Sequence, residues 1–188
     1  MITAGWITMI SAFASIPVAY LSWKLEGRID FTATFIQTVI QLTAILIFLT
    51  INLYLKKLLN AYFKFHDTDK SIDWMIKANV VAGILIVIGL HSTQLKDTFG
   101  IAALLIMIAQ GIVQIQFGYK LLKLQDNLGG MLKPFCYVNM ATGICIASVV
   151  LILVGILVSA ISDLMLGTIF FNMAKLVKVK QNIEVVDE

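Results

Sequence analysis

Five long stretches of this chain are almost free of charge, and each is as long as the roughly 17 to 25 apolar residues that a helix needs to cross a bilayer. They are Gly5 to Trp23, Phe31 to Leu55, Ser71 to His91, Phe99 to Tyr119 and Phe135 to Ile161, followed by a shorter apolar segment from Leu164 to Val177. Only closed β-barrels and α-helices satisfy their backbone in lipid, and runs this continuous are helical. Composition agrees: 60% of the 188 residues are hydrophobic and 13% are charged, against about 25% charged in a soluble domain. Such a chain cannot clothe a water-facing surface, and its partner is the lipid bilayer. No Lys or Arg precedes Lys24, so the first run lacks the basic flank of a secretory signal and reads as a retained span.

The short last segment decides between five spans and six. With six, the loop after the second span, the loop after the fourth and the C-terminal tail share one side. That side then holds Lys56, Lys57, Lys64, Lys70, Lys77, Lys120, Lys123, Lys133, Lys175, Lys178 and Lys180, leaving Lys24, Arg28 and Lys96 of the 14 basic residues for the other. The positive-inside rule favours that arrangement and puts both termini in the cytoplasm. Ser162 and Asp163 stand where an N-cap would open the sixth helix. Lysines that close the even-numbered spans, Lys56, Lys57, Lys120, Lys123, Lys175 and Lys178, form an inner basic rim. Their stems lie along apolar surface and their ammonium groups reach water or anionic headgroups.

The expected fold is therefore an all-α, six-helix transmembrane bundle forming a single domain over residues 1–188. Its units are three helical hairpins, 5–59, 71–124 and 135–180. A weak internal repeat underlies this division. YLKKLLN at Tyr54, GYKLLKLQDN at Gly118 and MAKLVKVKQN at Met173 share a cadence, and NVVAGILI at Asn79 aligns with NMATGICI at Asn139. The expected location is a bacterial or archaeal cytoplasmic membrane.

Small residues four apart mark faces where helices approach closely: Ser11, Ser15 and Ala19; Ala78 and Ala82; Gly143 and Ala147; Gly155 and Ser159. They suit either closure of the bundle or contact with other copies or other membrane subunits. Gln37 and Gln41, and Gln110 and Gln114, lie one turn apart, with Asn79 and Asn139 at matching places in the repeat. In lipid these amides must turn inward, so they form a polar intramembrane face that either ties helices together or lines a path. Pro17 removes a backbone donor and predicts a bend in the first span, with Ser11 and Ser15 available to the opened turn.

Chemistry is sparse. Cys136 and Cys145 sit in one apolar run and read as packing residues. His66 and His91 fall on opposite membrane faces and cannot share a metal or haem; the HDTD cluster at His66 reads as a solvated, helix-capping turn. No CxxC, HExxH, GxSxG, P-loop or dinucleotide motif is present. The sequence predicts no cofactor, no metal site, no catalytic residue and no nucleic-acid partner. The leading expectation is a small multi-pass subunit or oligomer-forming scaffold acting through helix contacts. The alternative is a channel or carrier for a small neutral or weakly charged solute.

Overall fold

The computed structural model describes residues 1–25, 28, 30–92 and 94–186, with side chains described as far as Leu176. It is all-α: α1 (Ile2–Leu25), α2 (Phe31–Phe63), α3 (Asp69–His91), α4 (Lys96–Leu121), α5 (Leu132–Ala147) and α6 (Ile152–Val186), with a short 3-10 turn at Leu128–Gly130 before α5. Five of the helices are long and apolar enough to cross a membrane, and the sixth, α5, has 16 residues. The chain is thus an integral, multi-pass helical bundle.

Helix ends follow local chemistry. Asp30 opens α2 by accepting the Ala33 N–H at 3.2 Å, which satisfies one of the free donors of the first turn. At its other end Lys64 takes the left-handed conformation (φ 50°), and the Phe65 N–H returns to the Leu59 carbonyl at 3.0 Å. That closure caps carbonyls the helix can no longer pair. Pro17 lies within α1, which continues through it. Ser15 donates to the Ala12 carbonyl at 2.8 Å while Ser11 reaches across to α6; neither hydroxyl serves the carbonyl of Phe13, the one that proline leaves without its donor.

The last third of the chain differs from the sequence expectation. The run Phe135 to Ile161 is not one helix; it breaks at Ser148 to Leu151, where Val149 has φ 59°. The expected break at Ser162 and Asp163 does not exist, and α6 runs unbroken through both residues and through 164–177. Ser162 and Asp163 carry a cap-like signature, but they face other helices from the interior of α6.

Each helix packs on its neighbours in chain order, and α6 returns to pack on α1, so the six form a closed ring. Without a hydrophobic drive between helices in lipid, close backbone approach supplies much of the adhesion. Glycines provide it. A Cβ on Gly111 of α4 would stand 2.7 Å from the Gly143 carbonyl of α5, and one on Gly143 would stand 2.6 Å from the Gly111 carbonyl. On Gly118 it would meet the Cys136 carbonyl at 2.9 Å; on Gly5, the Phe171 ring. The end of the ring where α2 and α4 finish and α3 and α5 begin is tightly filled. Leu58, Leu59, Ile72, Phe117, Leu121, Leu128, Phe135, Ile169 and Phe170 are buried there in one apolar cluster. The opposite half is looser, since α1 buries nothing between Ala12 and Leu25 and α2 nothing between Ala33 and Ile51.

Candidate functional site

Above the apolar cluster the ring encloses a cavity of about 480 Å³ to which all six helices contribute. Its walls carry Ser11 and Ser15 from α1, Thr43 and Asn52 from α2, Asn79 from α3, Gln114 from α4, Asn139 from α5, and Ser159, Ser162 and Asp163 from α6. Apolar side chains, among them Val18, Ile40, Ile47, Phe48 and Leu166, fill the spaces between these groups. Val18, Val39, Thr43 and Ala44 line the cavity and are also exposed. The mouth therefore lies along α1 and α2 in the loosely packed half.

Asp163 is placed by the course of α6. Twelve residues separate it from Lys175 and eleven from Ile152, which at 1.5 Å per residue puts it ~18 Å and ~16 Å from those levels. A carboxyl group thus sits near the middle of the membrane-spanning length. A helix start at Ser162 and Asp163, as the sequence suggests, would leave the carboxyl at a membrane boundary; the break at Ser148 to Leu151 moves it inward. Ser11 donates to Asp163 Oδ2 at 3.3 Å, tying α1 to α6.

Beside this pair runs a second chain of bonds. Gln114 Nε2 donates to Asn139 Oδ1 at 3.3 Å, and Asn139 Nδ2 donates to Ser162 Oγ and to the Phe135 carbonyl, both at 3.0 Å. Asn139 is buried and spends both donor hydrogens on these partners. It therefore holds α4, α5 and α6 in one register directly next to Asp163. Five hydroxyls elsewhere, at Thr8, Thr38, Thr50, Thr142 and Thr168, bond back to the carbonyl four residues earlier in their own helix, the local solution available in lipid.

The polar residues singled out from the sequence divide. Asn79, Gln114 and Asn139 line the cavity. Gln41 instead lies against α3, its Nε2 about 3.1 Å from the place a Cβ on Gly83 would occupy. Gln110 is buried on α4 and Gln37 half-buried on α2, neither on the cavity wall. Asn52 lines the cavity too, and Ser11, Ser162 and Asp163 belong to the site without standing in that polar set. Isolated polar residues carry no periodicity, and only the ring brings them together.

The small residues also separate by place. Ala78 and Ala82 are buried on α3, and Gly143 and Ala147 meet Gly111 of α4. Gly155 sits 3.2 Å from the Cys145 side chain by the same measure, Ser11, Ser15 and Ser159 line the cavity, and Ala19 is half-buried on α1. At the rim, Lys56 pairs with Asp73, Lys120 donates to Ser71 Oγ at 3.2 Å, and Lys123 lies 5.9 Å from the Tyr119 ring centre. Lys57 and Lys175 are exposed, and Lys178 lies outside the described side chains. His66 contacts Asp69 at 3.1 Å, and His91 contacts the Val87 carbonyl at the far end of α3. Among the described residues no three His, Cys, Asp or Glu side chains converge as a metal would require. Comparison of the chain with protein-family models, with curated proteins and with solved structures finds no match.

Proposed function

We propose that this membrane protein is a carrier or binding protein for a small solute, which enters the six-helix cavity. The observation that carries the reading is the cavity itself: a mostly apolar space with a few polar groups near mid-membrane depth, walled by every helix and closed on one side by the apolar cluster. Binding sites for small molecules are mostly apolar cavities of about 300–1,000 Å³ with a few placed polar groups, and this one fits that description. The lysine-rich end belongs in the cytoplasm by the positive-inside rule, so the mouth along α1 and α2 faces the outer half of the membrane.

Flux through proteoliposomes tests the reading. Ser159→Phe places a ring on the cavity wall. It is expected to abolish solute-driven vesicle swelling that the native protein supports across a panel of small polar solutes. Equal swelling by native and blocked protein would refute it.

A purely structural subunit is the second reading, favoured by the wide bare surface of α1 and α2. Phe13, Trp23, Phe31 and Phe35 are between 59% and 85% exposed there. Against it, the described contacts of Gly143, Ala147 and Gly155 are made inside the ring. Native mass spectrometry after gentle extraction distinguishes the two, since a stable hetero-complex supports the subunit and a monomer or homo-oligomer the carrier.

A further inference from the structure

We propose that the solute class is a small organic cation, a protonated amine on an apolar body, whose charge is received by Asp163. The inference rests on the reading of the cavity as a solute site and adds the charge and shape of what it takes. Asp163 is the one ionisable side chain on the cavity wall among the described residues. The ion pairs found among those residues, Lys56 with Asp73 and His66 with Asp69, both lie at the lysine-rich end, so neither supplies Asp163 with a counter-charge. Among the described residues its hydrogen-bond partner is one hydroxyl, at 3.3 Å, longer than charge-assisted bonds ordinarily run.

An ionisable group at this depth is costly and ordinarily pairs with another group or marks a substrate or ion pathway. Here the space beside it is open and the pairing group is absent from the walls. Burying a carboxylate so that a ligand completes it is the arrangement by which a site selects charge.

The rest of the cavity excludes the simplest cations as its main occupant. A bare metal ion asks for several oxygen ligands within about 2.6 Å, and the wall offers one carboxylate among amides, hydroxyls and hydrocarbon. A volume near 480 Å³ is far larger than such an ion. The apolar surfaces of Val18, Ile40, Phe48 and Leu166 fit the body of an amine, while Asp163 takes its N–H donors and Ser11 stands beside it as a further partner.

Two probes of equal size separate charge from shape: cyclohexylammonium and cyclohexanol, titrated calorimetrically against the native protein in nanodiscs at neutral pH. The ammonium is expected to bind at least about tenfold more tightly, the ratio that one charge-assisted hydrogen bond supports. Asp163→Asn should bring the ratio to about one while moving the alcohol's affinity by no more than about twofold, and Asp163→Glu should retain most of the preference. Equal affinities for the two probes in the native protein would overturn the assignment, including the case of a carboxyl that stays protonated. So would a preference that survives Asp163→Asn. If the alcohol alone binds, the solute cavity stands and the charge assignment falls; if neither binds, both fall.

Discussion

The contact between Gly111 and Gly143 sets how far apart α4 and α5 can stand, and alanine at either position measures it. A methyl on Gly111 would sit 2.7 Å from the Gly143 carbonyl oxygen and 2.9 Å from the Ala147 nitrogen; a methyl on Gly143 would sit 2.6 Å from the Gly111 carbonyl oxygen. Carbon and carbonyl oxygen tolerate about 3.3 Å, so each methyl lacks ~0.6 Å. The obstructing atoms are backbone, so the helices must part. A gap of 0.5–1 Å forfeits about a quarter to a half of the dispersion energy across it, and overpacking of this kind costs about 1–3 kcal/mol. Alanine's better helix propensity returns up to about 1 kcal/mol. Because backbone atoms obstruct each methyl, the upper part of the overpacking range, about 2–3 kcal/mol, applies, and the expected net loss is about 1–2 kcal/mol for either single variant.

The double variant carries the sharper test. Once the first methyl has separated the helices, the second enters a gap already opened, so the double loss should fall short of the sum by about 1 kcal/mol. Reversible SDS-induced unfolding in mixed micelles, read by far-UV circular dichroism, gives all three values. The same separation stretches the Gln114 to Asn139 bond, since Gln114 lies three residues beyond Gly111 and Asn139 four before Gly143, so proteoliposome flux should drop with stability. Losses below about 0.5 kcal/mol for both singles, or strict additivity, would refute this account of the helix spacing.

Other outcomes follow from single features. Val149→Gly should stabilise the protein by about 1 kcal/mol in the same assay, because a β-branched residue at φ 59° is relieved by glycine. Asn139→Leu removes the hub of three helices and strands its partners, so it should cost about 2–3 kcal/mol, read as an earlier SDS midpoint. Asp73→Asn should change stability by less than about 1 kcal/mol, because its pair with Lys56 is partly exposed, 46% and 27% by side chain. In a background where Cys136 and Cys145 are alanine, cysteines placed at Ser148 and at Lys123 should react with a membrane-impermeant maleimide from opposite sides of the membrane; labelling from one side would refute the up-and-down ring.

The long runs were legible because the bilayer imposes its length on the sequence, and α3 ends at His91 as its apolar run does. The break between α5 and α6 was not. Ser148 to Leu151 contains neither glycine nor proline, the residues that normally announce a turn, and the turn is made by Val149 in a conformation valine seldom adopts. Meanwhile Ser162 and Asp163 before an apolar segment carry the signature of a helix start, which the ring overrides by giving both side chains partners on other helices. The amides show the same limit. Spacing of four puts Gln37 with Gln41 and Gln110 with Gln114 on common faces, but the rotation of each helix decides what a face meets. It takes Gln114 to the cavity and leaves Gln110 beside the glycine contact.

This rotation also explains why the two halves of the ring differ. At the lysine-rich end, Phe117, Phe135, Leu58 and Ile169 fill the centre, and the rim around them is tied by Lys56 to Asp73 and by Lys120 to Ser71. In the other half α2 buries no side chain between Ala33 and Ile51, and its exposed Val39 and Thr43 border the cavity. Movement of α2 therefore disturbs two helix seams and few buried side chains, whereas opening the far end requires the apolar cluster to part. A solute bound as proposed at Asp163 would lie between these unequal barriers. On the proposed carrier reading the cluster would limit passage toward the lysine-rich end, and truncating Phe117 to alanine, which removes a fully buried ring from that barrier, should speed flux even as it costs about 3 kcal/mol or more of stability. Slower flux with unchanged solute binding would show that the cluster does not stand on the path.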